Sequence, residues 1–116
     1  MRQEQSISYG KLVRDRIPEI IEADGRTAKV RVLEESEVLP ALMAKLSEEV
    51  EELHRAEPGD RLGELADVYE VLVAVAGAGG FSEEEVREAA LRKRVERGGF
   101  GRRLWLEEVT SHRRAR

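Results

Sequence analysis

Residues 45–67 read KLSEEVEELHRAEPGDRLGELAD. Glu48, Glu49, Glu51 and Glu52 come first, Pro58-Gly59-Asp60 interrupts, and Glu64 and Asp67 follow. An acidic run on a helix is ordinarily a solvated face. Here the acids recur as Glu-x-x-Glu and Glu-x-x-Asp on either side of a turn signal. A helical hairpin closed at that turn brings two carboxylate pairs face to face, which is how helical bundles build oxygen-ligand metal sites.

The flanking sequence supports the hairpin. Leu39, Leu42, Met43, Leu46, Val50 and Leu53 have helical spacing. That predicts a long helix from Ser36, with Pro40 confined to its early turns and Pro58-Gly59 as its stop. Asp60 is placed to cap the next helix, which carries Leu62, Leu65, Val68, Tyr69, Val71, Leu72, Val73, Val75 and Ala76. Those residues cover more than half the helix circumference, so this should be the most buried helix. Gly77-Ala78-Gly79-Gly80 ends it, and Ser82 with Glu85 reads as a capping box for a third long helix running to about Arg97.

Upstream, Asp15 and Pro18 suggest a short helix near 16–24 that stops at Asp24-Gly25. Ala28 to Leu33 alternates apolar and charged residues, so it either pairs with residues 11–14 or is extended chain. The expected fold is all-α. It comprises three long helices plus a short N-terminal one in a single domain over 1–116, with 1–8 and 110–116 flexible. The apolar breadth of helix 60–78 exceeds what two neighbours can cover, so homo-oligomerisation, as a dimer or tetramer, is expected to complete the bundle.

A helical wheel at about 100° per residue separates the acids. Measured from the centre of the first apolar stripe, Glu49 lies about 70° away, Glu51 and Glu52 about 130° on opposite sides, and Glu48 about 170°. Glu49 is nearest the seam, Glu52 shares its flank, and Lys45 lies on that flank one turn earlier. On the second helix Glu64 falls inside the apolar arc and Asp67 at its edge, whereas Glu70 faces away. Clustered buried carboxylates are costly unless a cation compensates. The metal candidates are therefore Glu49, Glu52, Glu64 and Asp67. An all-oxygen set suits Mg²⁺, with Mn²⁺ as the alternative.

Composition narrows the chemistry. Charged residues make up 38% and aromatics 4%, the formal net charge is -4, and cysteine is absent. Thiol catalysis, a disulfide framework and a zinc-thiolate site are excluded. An acidic chain is no natural partner for nucleic acid. The first ten residues lack an apolar signal core, and no run approaches the roughly 18 apolar residues of a membrane span. A cytoplasmic protein without membrane or nucleic-acid partners is expected. Two basic clusters could meet phosphate: Lys11, Arg14 and Arg16, and Lys93, Arg94, Arg97 and Arg102 around Gly98-Gly99-Phe100-Gly101. No Walker-type phosphate loop is present.

Three stretches in this order resemble a known family. Glu48-Glu49-x-x-Glu52, eleven residues, then Glu64-x-x-Asp67 is similar to the metal motif of the all-α nucleoside triphosphate pyrophosphatases, the MazG-like superfamily. Lys11-Leu12-Val13-Arg14-Asp15-Arg16-Ile17-Pro18-Glu19-Ile20-Ile21 and Lys93-x-x-x-Arg97-Gly98-Gly99-Phe100 resemble its phosphoribosyl-ATP pyrophosphohydrolase-like branch. The resemblance covers residues 9–108. It implies Mg²⁺-dependent hydrolysis of a nucleoside triphosphate to monophosphate and pyrophosphate, as nucleotide-pool house-cleaning, in an oligomer with sites between chains. It also implies Glu49, Glu52, Glu64 and Asp67 as ligands, with Lys93 and Arg97 at the phosphates. Glu49 or Glu52 is the expected proton acceptor, and Lys11, Arg14 and Lys45 complete the substrate-side cations. The alternatives are phosphoribosyl-ATP pyrophosphatase and a non-catalytic metal- or nucleotide-binding helical module.

Overall fold

Pro18 sits in the first turn of the first helix, α1 (Ile17–Ala23), where its missing N–H costs nothing. The computed structural model describes residues 5–7 and 9–112, and among them the regular structure is helical, with no strand. The chain is all-α, as its composition suggests. It divides into two units, Met1–Glu83 and Glu84–Arg116.

In the first unit, Arg16 rather than Asp15 holds the N-cap position of α1, and no side-chain cap forms. Asp15 instead lies in the turn closed by Ile17 N–H donating to the Arg14 carbonyl (3.0 Å). The helix ends as expected: Gly25, at φ 82°, donates to the Glu22 carbonyl and Arg26 to that of Ile21. That paired closure requires a left-handed residue, which glycine supplies without steric cost. Residues 28–33 form no strand, so the expected alternative of a pairing with residues 11–14 does not appear among the described residues.

Helix α2 (Glu35–Arg55) starts one residue earlier than predicted, with Glu34 at its N-cap. The Glu37 carboxylate accepts the Glu34 N–H (3.0 Å) and also takes both Arg31 guanidinium nitrogens (3.0 and 2.9 Å). Pro40 lies in the second turn and the helix continues through it to Arg55. A 3₁₀ turn over Pro58–Asp60 then leads directly into α3 (Arg61–Ala78). Asp60 is the residue before α3, but its side chain makes no cap. The incoming 3₁₀ turn already holds its backbone in the helical region (φ -100°, ψ -7°), so no extended N-cap geometry is available.

Helices α2 and α3 pack against each other as the predicted hairpin. Leu42 on α2 and Val71 on α3 are the buried apolar residues of the seam. The opposite face of α3, with Leu62, Leu65, Tyr69 and Leu72, is exposed on this chain, so the breadth of its apolar surface is not matched by burial within one copy. The Tyr69 hydroxyl donates to the Glu83 carboxylate beyond the end of α3.

Helix α4 (Glu83–Arg97) belongs to the second unit from Glu84 onward and is followed by an irregular tail. Gly98 N–H closes the helix on the Arg94 carbonyl (2.8 Å). Phe100, Leu104, Trp105 and Leu106 are all exposed. Residues 5–7 and 110–112 are exposed and irregular, whereas the rest of the terminal stretches expected to be flexible lies outside the described residues. No single helix among the described residues is long and apolar enough to cross a membrane.

Candidate metal centre

The hairpin decides which acids meet. Glu49 projects from α2 into the seam and is 6% exposed. Glu64 and Asp67 lie one turn apart on α3 and are half-buried. Each of the three offers a carboxylate oxygen, and those oxygens all lie within 4.8 Å of one another. Glu52 is exposed and stands outside this group, although its charge is felt at Glu49. The structure thus assembles three of the four predicted ligands. Its helical offset explains the fourth: about 130° from the seam is too far round to point at α3. Glu48 is exposed, as its place on the wheel suggested, and Glu51 pairs with Arg55 (3.8 Å).

Two cations accompany the cluster. Lys45, one turn before Glu49 on α2, places Nζ 3.3 Å from Glu49 Oε1 and 3.7 Å from Glu48 Oε1. Arg14, from the segment before α1, sets Nη2 2.7 Å from Asp67 Oδ1. These pairs leave work undone. The second oxygens of Glu49 and Glu64, Oε2 in each, are buried without a hydrogen-bond partner. Burial is the main reason the Glu49 carboxyl titrates above its ordinary range. Lys45 opposes that rise, and repulsion from Glu52 and Asp67 adds to it.

An oxygen-only donor set with orphaned buried oxygens fits a hard divalent cation. Oxygens on one Mg²⁺ stand roughly 3–4 Å apart, so the present spacing needs only a small contraction. A bound dication would satisfy the two orphaned atoms and offset the desolvation at Glu49.

Lys11, also predicted at phosphate, has its ammonium 5.5 Å from the Tyr9 ring centroid. Lys93 and Arg97 are exposed on α4 in the second unit. Arg14 was expected at phosphate, but its ion pair with Asp67 was not anticipated. The partners are 53 positions apart, and no periodicity links them. Arg14 also lines an open groove of about 580 Å³ on the outer side of α3, with Leu62, Leu65, Tyr69 and Leu72.

No family model matches the chain, and no solved structure matches it. An uncharacterized protein of Mycolicibacterium smegmatis is 56% identical over 50 residues, which is 43% of this chain and 51% of that protein. The chain spans about half the length of that relative, and the likeness carries no activity across.

Proposed function

We propose that this chain is a Mg²⁺-dependent nucleoside triphosphate pyrophosphohydrolase of the all-α MazG-like kind, releasing pyrophosphate and a nucleoside monophosphate. The supporting observation is the convergence of Glu49, Glu64 and Asp67 across the hairpin, with two buried carboxylate oxygens lacking partners. Glu49, Glu64 and Asp67 are the residues that would hold the ion. When bound, Mg²⁺ supplies charge neutralisation at the triphosphate and acidifies the attacking water. Glu49 or Glu52, whose charges act on each other, would accept that water's proton. Arg14 presents forked donors suited to phosphate oxygens.

The same reading includes a homo-oligomer. Leu62, Leu65, Tyr69 and Leu72 recur at alternating three- and four-residue intervals, the spacing of a helix–helix seam. A second copy is the simplest partner for that stripe, with a larger bundle as the result.

The test is pyrophosphate release with Mg²⁺ across canonical triphosphates, damaged triphosphates and phosphoribosyl-ATP. Turnover is expected on at least one of them. The double variant Glu49→Gln, Asp67→Asn should lose at least about 100-fold, the scale of removing charge stabilisation at a phosphoryl transition state. Undiminished turnover in that variant overturns the site. A preference for phosphoribosyl-ATP would assign the histidine-pathway reaction instead. Metal and nucleotide binding without turnover would reduce the protein to a binding module.

A further inference from the structure

We infer that Arg14 is an exchangeable internal cation: it neutralises Asp67 until a divalent ion takes that carboxylate, and then turns to the phosphate of the arriving nucleotide. This rests on the pyrophosphohydrolase reading and adds an order to it, metal before nucleotide.

The two cations at the cluster are held differently. Lys45 shares a helix with Glu49, is 19% exposed in its side chain, and lies between two carboxylates of α2. Arg14 comes from an irregular segment, is 56% exposed in its side chain, and reaches Asp67 through a single guanidinium nitrogen. An exposed one-point pair is weakly held. Arg14 also stays charged at any relevant pH, so it cannot yield to a metal by losing its proton. A guanidinium and a dication on one carboxylate repel each other, which favours exchange over sharing.

The displaced side chain has somewhere to go. Arg14 lines the open groove on α3 as well as contacting Asp67, so a small rotation leaves its donors at the groove mouth. A triphosphate approaching the metal brings phosphate oxygens to that place. Lys45, on the same helix as Glu49 and less exposed, remains with it. The competing arrangement keeps Arg14 on Asp67 Oδ1 while the metal takes the other oxygen. In that case Arg14 orients the ligand, and losing it weakens metal binding.

The two arrangements predict opposite signs. The experiment is calorimetric titration of the full chain with Mn²⁺ alone, for the wild type, Arg14→Gln, Arg14→Lys and Glu64→Gln. Far-UV circular dichroism confirms that each is helical, and the exposure of Arg14 makes its variants compatible with folding. Arg14→Gln should bind Mn²⁺ about fivefold more tightly than the wild type, a typical coupling between linked sites. Arg14→Lys, which keeps the charge, should stay near the wild type. With Mn²⁺ saturating, a non-hydrolysable α,β-methylene nucleoside triphosphate should bind Arg14→Gln about fivefold more weakly. Equal or weaker Mn²⁺ binding by Arg14→Gln, with binding lost in Glu64→Gln, overturns the exchange and leaves the metal site standing. Absence of Mn²⁺ binding in every variant overturns both.

Discussion

Glu49 carries the cluster's electrostatic conflict. Among the described residues it is the most buried acid, one oxygen faces Lys45, and the other has no hydrogen-bond partner. Without an ion the protein bears that cost in stability. Glu49→Gln should therefore stabilise the metal-free protein by about 1 kcal/mol, the scale of an unsatisfied buried polar group in mutational data. The same change should abolish stabilisation by Mg²⁺. In the wild type, ion at 100 times its dissociation constant should add about 2.7 kcal/mol. Thermal melts with and without Mg²⁺ check both halves. A wild-type midpoint indifferent to millimolar Mg²⁺ would return the three acids to the status of a solvated face.

At the scale of the element, α2 starts where Glu37 can hold both the Glu34 N–H and the Arg31 guanidinium. Arg31 is the largest cause, with the backbone bond next, and together they hold the Glu37 carboxyl near 2 rather than its ordinary 4.5. A depressed folded-state pKa means that the ionised form favours the fold. Its contribution is complete above 4.5 and disappears as pH falls toward about 2. Glu37→Gln should lower the thermal midpoint at pH 7, and the gap from the wild type should close over that acid range. A gap that stays constant with pH would show that the clamp contributes nothing through its charge. The helix starts one residue before Ser36 for an identifiable reason: from a cap at Glu34 an acid falls at the third helical position and meets an arginine from the preceding segment.

For the whole molecule, the first unit buries little apolar side chain. Leu42 and Val71 fill the hairpin seam, whereas Leu62, Leu65 and Leu72 on α3 remain exposed. If a second copy covers that stripe, light scattering after gel filtration should give at least twice the chain mass for the wild type. Leu65→Lys combined with Leu72→Lys should shift it to the monomer, since each places a charge in an apolar contact. A wild type that is monomeric at high concentration, with full activity, would remove the oligomer from the proposal.

Much of the fold was legible because its cues are local. Pro58-Gly59 breaks the hairpin, Gly25 and Gly80 close helices at positive φ, and the apolar period predicts α2 and α3 to within a residue or two. The wheel also placed Glu49 inward and Glu48 outward, because each helix's own geometry sets those directions. What the wheel could not supply was the contact across the hairpin. Glu64 and Asp67 meet Glu49 while Glu52 stays outside, and Arg14 reaches Asp67 across 53 positions. Those outcomes depend on how α2 and α3 pack and on where the chain before α1 runs. Periodicity determines which side of a helix a residue occupies, and only tertiary packing determines what it meets there.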